Sequence, residues 1–301
     1  MRVTTPMTLL MNGALATAAP AVGVQPYALM RGALAERLER GDMELPLPPR
    51  VATEILSLTR DEDADVGRLA KLLHQDPALA GHVLRIANSP AYLPRSPIVS
   101  LQQAVTHLGF TLLSEIALVA SMQSGVFKVP GHEAELRTIW QHALASGGFG
   151  REVARKLRSN VESALLCGLL HTIGKPLVLQ TAVTEAAKLG VPASREDVRS
   201  LVEDFHVQAG GLLAKRWALP GAVCDAIASY ASYTAATGVP REPVITALAD
   251  RLASHLVDNE TDDGALRAHR AWVDLNLYPE DADDLLARTD TVRGLVQSML
   301  L

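Results

Sequence analysis

The sequence is poor in several things that usually announce a function. Aromatic residues make up 4 % of its 301 positions, and there are two cysteines. Cys167 and Cys224 sit in apolar runs and form no C-x-x-C pair. That excludes a disulfide-stapled secreted module and suggests reduced core thiols in a reducing, cytoplasmic compartment. No apolar run reaches the roughly eighteen residues of a membrane span. There is no H-E-x-x-H, cysteine-cluster zinc spacing, G-x-S-x-G or P-loop pattern, and no solenoid-type repeat. A basic block is missing too. Residues 260–301 hold nine acids and four arginines, which accounts for the whole net charge of −5 and leaves residues 1–259 balanced. A neutral body offers no electrostatic footprint for nucleic acid or anionic lipid, so neither is expected as a partner.

What is present is a chain that is 48 % apolar, ample for a core. Arg2 followed by Met7–Ala19 loosely imitates a secretory signal, but Pro6, Asn12 and Gly13 interrupt it, and residues 1–25 read as a leader. From Tyr27 onward the apolar spacing is helical. Leu29, Ala33, Leu34 and Leu38 form one stripe, with Gly41 as its C-cap. Pro46, Pro48 and Pro49 break the chain. Helices follow over 51–59 and 66–74, and another opens at the N-cap Asp76 with Pro77 in its first turn. Asn88-Ser89-Pro90 stops that one, Ser100 caps the next, and Asp76 and Asn88 read as structural. The second half predicts helices near 133–157, 161–173, 176–189, 195–217, 220–236, 241–258, 265–274 and 280–300. No strand-type alternation persists. The fold class is all-α, a two-lobed helical bundle with the lobes meeting near residue 128.

Nine histidines are the one enrichment that bears on chemistry. His142, His171 and His206, together with Asp250, each project from a helical stripe made mostly of small residues. Residues three, four and seven apart share a helix face, and small stripes let backbones approach or line a pocket. Imidazoles from separate helices could then converge, as they do in metal sites of bundles. Spacing alone equally allows core histidines satisfied by carbonyls. His74, His82, His107, His132, His255 and His269 have ordinary helix-end, amphipathic or loop settings.

The run Gln75-Asp76-Pro77-Ala78-Leu79-Ala80, then Val83-Leu84-Arg85-Ile86-Ala87-Asn88-Ser89 and Ser100-Leu101-Gln102-Gln103-Ala104-Val105, resembles the HDOD domain. This is a family of bacterial signalling output domains related to the HD-type metal-dependent phosphohydrolases. The likeness continues through Trp140-Gln141-His142, Gly168-Leu169-Leu170-His171-Thr172-Ile173-Gly174-Lys175 and Arg216-Trp217-Ala218-Leu219-Pro220, and ends near Asp250. It implies an HD-like architecture over residues 45–258, divided into an N-terminal lobe (45–127) and an HD-like lobe (128–258). Residues 1–44 are then a leader and helix, and 259–301 acidic helices packed on the body.

Carried over position by position, the resemblance would make His142, His171, the residue after it and Asp250 the ligands of a divalent metal. That next residue is Thr172, where the enzymes have Asp, and a neutral hydroxyl is a weak ligand. The helix after Pro220 brings no further imidazole, and the HD-GYP motif of cyclic-dinucleotide phosphodiesterases is missing. Two-metal phosphoester chemistry is therefore not expected. His142, His171 and Asp250, with His206 nearby, form at most a remnant site for a single divalent ion, and Thr172 and Lys175 are candidate pocket residues. The expected role is non-catalytic: a regulatory protein acting through a protein partner, linked by the resemblance to cyclic-di-GMP or two-component pathways. The rivals are a phosphohydrolase with an altered metal site and a nucleotide sensor that binds without hydrolysis. A homodimer stays open, with the stripe Leu285, Leu286, Val292, Leu295, Val296 and Met299 expected to pack on the body.

Overall fold

The computed structural model describes residues 25–58, 66–89, 92, 94–123, 125–233, 240–257 and 262–300. All regular structure among them is helical. The leader expected over 1–25 lies almost wholly outside the described residues.

The N-terminal lobe contains α2 (Arg50–Leu58), α3 (Val66–His74), α4 (Pro77–Ala87), α5 (Leu101–Leu108) and α6 (Phe110–Gln123). Apolar α6 is its centre, and α2, α4 and α5 pack around it. Asp76 caps α4 by accepting from the amides of Ala78 (3.1 Å) and Leu79 (3.0 Å). Asn88 ends it, donating to the carbonyls of Leu84 and Ile98 and accepting from the amide of Ile98, all at 2.8 Å. Both residues are thus occupied in holding the backbone.

The second lobe is built on α7 (Glu133–Lys156), with α8 (Val161–Leu170), α9 (Gly174–Leu189), α10 (Arg195–Arg216), α11 (Gly221–Ser229) and α12 (Arg241–Val257). Both α8 and α12 pack along α7, and α9 pairs with α10. The N-terminal helix α1 (Pro26–Arg40), capped by left-handed Gly41, lies on α9 and α10. Tyr27 and Arg31 reach Asp204 at 2.8 and 3.1 Å, and Arg37 reaches Glu185 at 2.6 Å. From α1 on the second lobe the chain therefore crosses to the first and returns.

Three predicted helices are interrupted. The span 161–173 stops at Leu170, and His171–Ile173 form a turn. The span 265–274 becomes α13 (Asp263–Arg267) and α14 (Ala271–Asp274), letting the Trp272 indole donate back to the Leu266 carbonyl at 2.8 Å. The span 280–300 becomes α15 (Pro279–Leu286) and α16 (Thr289–Met299), where the Thr289 hydroxyl takes up the Leu286 carbonyl at 2.6 Å. The helix predicted over 220–236 ends at Ser229, where buried Tyr230 turns towards His206; residues 234–236 lie outside the described residues.

Val292, Leu295, Val296 and Met299 are buried, as the stripe required. Val292 fits a notch at Gly148 of α7, while the Met299 and Leu300 carbonyls accept from Gln123 and Arg85 of the first lobe. Lys156 of α7 pairs with Asp281 (2.9 Å) and Asp284 (2.5 Å). The acidic C-terminal helices thus touch both lobes. Among the described residues one segment, Val161–Leu189, is long and apolar enough to cross a membrane, but 78 % of its most apolar window is buried in the fold.

Candidate functional site

Three helices must come unusually close for the polar side chains of the second lobe to meet. A Cβ at Gly168 of α8 would lie 2.4 Å from the Ser146 carbonyl of α7. Only glycine allows that crossing, which sets His171, one turn further on, beside His142. At the head of α9, a Cβ at Gly174 would lie 1.9 Å from the His206 carbonyl of α10. Tight contacts on both sides of the turn fix where His171 points. Asp250 arrives from α12, which packs on both α7 and α8.

The result is a compact group. His142 Nε2 is 2.9 Å and His171 Nε2 3.1 Å from the same Asp250 oxygen, Oδ1. The possible ligand atoms of the three residues all lie within 4.8 Å of one another. His171 is fully buried, and its Nδ1 is 2.7 Å from the Gly168 carbonyl. That carbonyl can only accept, so Nδ1 carries a proton and a neutral His171 aims the Nε2 lone pair at a carboxylate oxygen. Such an arrangement calls for a positive charge: a second ring proton or a cation. Burial drives the His171 pKa down, against the pull of Asp250, and so opposes the second proton. Burial alone would raise the Asp250 carboxyl, but the two imidazoles that face it, His142 first, hold it well below the usual range. Two imidazole nitrogens and one carboxylate, with one ring oriented through its far N–H by a backbone carbonyl, fit a single divalent cation.

The other predicted residues are placed differently. His206 does not join the group. Its Nδ1 faces the carbonyls of Val202 and Glu203, both at 3.0 Å, and its Nε2 accepts from the Tyr230 hydroxyl at 2.8 Å. With both nitrogens taken, it supports Tyr230, whose ring meets His171 edge-on at 4.6 Å. Burial, then Lys175, lowers the His206 pKa and keeps the ring neutral. Thr172 is buried, its hydroxyl has no hydrogen-bond partner among the described residues, and it does not line the adjoining cavity. Lys175 does line that cavity and pairs with Glu203 at 2.8 Å.

The cavity has a volume of about 980 Å³ and includes His142, Asp250, His206 and Tyr230 in its wall. Towards the outside it is lined by Arg195 and Arg199 of α10, Arg251 of α12, and His269 and Arg270 of the C-terminal segment. Sequence reasoning missed this rim. A signal existed on α10, where 195, 199, 202, 203 and 206 recur at helical spacing on one side. None existed for His269 and Arg270, which lie beyond every recognisable motif and are brought in by the fold.

Known proteins share both the sequence pattern and the architecture. A family model described as the HDOD domain matches residues 45–233. An uncharacterized protein of Treponema pallidum (strain Nichols) is 24 % identical over 208 residues, 66 % of this chain but only 39 % of that protein, so the chain spans well under half of its curated relative. In structure, the chain is similar to a protein of Shewanella amazonensis SB2B provisionally named a metal-dependent phosphohydrolase, with a TM-score of 0.70, 22 % identity, and 91 % of this chain and 99 % of that one covered. It is also similar to a protein of Marinobacter aquaeolei VT8 provisionally named a signal transduction protein, with a TM-score of 0.62, 24 % identity, and 93 % and 67 % coverage. At such identities the structural likenesses speak for the fold alone. The family match spans well over half of the chain, and this protein belongs to the HDOD domain family.

Proposed function

We propose that the chain is a non-catalytic regulatory protein of bacterial signal transduction, acting by contact with a protein partner and holding one divalent cation in its second lobe. The observation that carries this reading is Thr172. At the position after His171, where HD enzymes place a carboxylate, stands a buried neutral hydroxyl. The remaining donors are His142, His171 and Asp250. When bound, the cation would supply positive charge to the partly buried Asp250 carboxylate and a Lewis-acidic point in the cavity wall. The chain's own part is to orient His171 through Gly168, to hold Asp250 ionised, and to back His171 with the Tyr230 ring. Two imidazoles and one carboxylate are too few ligands to hold two metals, and so do not build the double clamp on an in-line phosphoryl displacement. A signalling role is consistent with the family and with the signal-transduction name of the Marinobacter protein.

The test is metal titration of purified protein followed by a phosphodiester assay. One Mn²⁺ or Zn²⁺ per chain is expected, lost in His171→Ala, with no hydrolysis of bis(p-nitrophenyl) phosphate or cyclic dinucleotides. Metal-dependent turnover that disappears in His171→Ala would establish the phosphohydrolase reading instead.

A further inference from the structure

The cavity is charged in a way the cation site does not explain. Five lysines and arginines line it, against the carboxylates of Glu135, Glu203 and Asp250. Those carboxylates are all engaged: Glu135 with Arg195, Glu203 with Lys175, and Asp250 with the two imidazoles. Arg270 binds Asp274 at 2.9 Å. Arg251 is exposed, faces the cavity and has no ion pair among the described residues. Its positive charge is felt nearby: after burial, Arg251 is the main influence lowering the His269 pKa.

We infer that the rim of this cavity is an anion subsite for a phosphoryl group, with Arg251 and Arg270 as its principal donors and Arg195 and Arg199 on the facing helix. Guanidinium groups from three separate elements converge on one concave surface. They supply more N–H donors and more charge than a carboxylate can use, and they match a dianion with three or more acceptor oxygens. Arg251, His269 and Arg270 lie outside the family match over 45–233, so the subsite draws on residues beyond the shared motif. The inference rests on reading the cavity as a ligand site but not on the cation.

Inorganic phosphate titrated into the EDTA-treated protein, followed by calorimetry and ³¹P line broadening, tests it. Saturable binding is expected, weakened at least tenfold in both Arg251→Gln and Arg270→Gln, with Arg40→Gln on α1 unchanged. Acetate should not compete. No saturable binding, equal binding in the two rim variants, or equal competition by acetate would overturn the assignment. Phosphate binding that appears only after Mn²⁺ is added would also overturn it, while supporting the cation site. Phosphate binding in a protein that takes up no metal would leave the rim standing and remove the cation.

Discussion

Glu115 lies buried on α6, with an Arg151 guanidinium nitrogen of α7 3.5 Å from its Oε2. Burial pushes its carboxyl from 4.5 to about 7, more than Arg151 pulls it down. The folded protein then keeps a proton that the unfolded chain releases, so this group lowers stability as pH rises from about 4.5 to about 7. Glu115→Gln cannot titrate. Its stability relative to the parent protein should improve by about 3 kcal/mol between pH 4.5 and pH 8, since each pH unit between the unfolded and folded values is worth roughly 1.4 kcal/mol. Urea denaturation of both proteins at the two pH values checks this, and a constant difference would show that Glu115 titrates normally. Asn88 illustrates the same scale differently: a residue prominent in a signalling motif is here fully occupied by two carbonyls and an amide.

At the scale of elements, close helix crossings position the site. A methyl group at Gly174 would have to push α9 off α10, because the obstacle is backbone. Gly174→Ala should cost about 3 kcal/mol or more, as overpacking against an unyielding neighbour does. A methyl group at Gly211, on the same α10, would meet nothing within 4 Å, and Gly211→Ala should gain about 0.5–1 kcal/mol through helix propensity. Thermal or chemical denaturation of the pair separates packing from propensity. The helices and their caps at Gly41, Asp76 and Ser100 were legible because apolar period and cap chemistry are local. So was the pairing of His142, His171 and Asp250, because small-residue stripes and a motif pointed the same way. The breaks at His171–Ile173 and Ala268–Arg270 were not legible, since tertiary partners, the crossing at Gly174 and the Trp272 indole, decide them. Nor could spacing show that His206 would be claimed by Tyr230.

For the whole molecule, the C-terminal segment matters beyond its charge. It walls the cavity with His269 and Arg270, and its last helix lies across the seam between lobes, where Leu295 and Met299 line one small cavity with Val119 of α6 and Gly148 of α7. Leu295→Ala should cost about 2–4 kcal/mol by leaving a void. If α16 ties the lobes together, amide exchange should rise in both α6 and α7, whereas a rise confined to α16 would show that it rests on the body without joining the halves. The rim was the least legible part of the protein because its residues come from α10, α12 and a remote segment.

The seat of α1 has a consequence for how the chain is made. Its buried Met30 and Leu34 belong to a helix whose partners, α9 and α10, end only at Arg216. At ribosomal speeds of about 5–20 residues per second, that helix waits roughly 10–35 seconds with its apolar side uncovered while the whole first lobe is synthesised ahead of its partners. Vectorial folding therefore completes the first lobe before α1 is covered, and the nascent chain should depend on a holding chaperone during that interval.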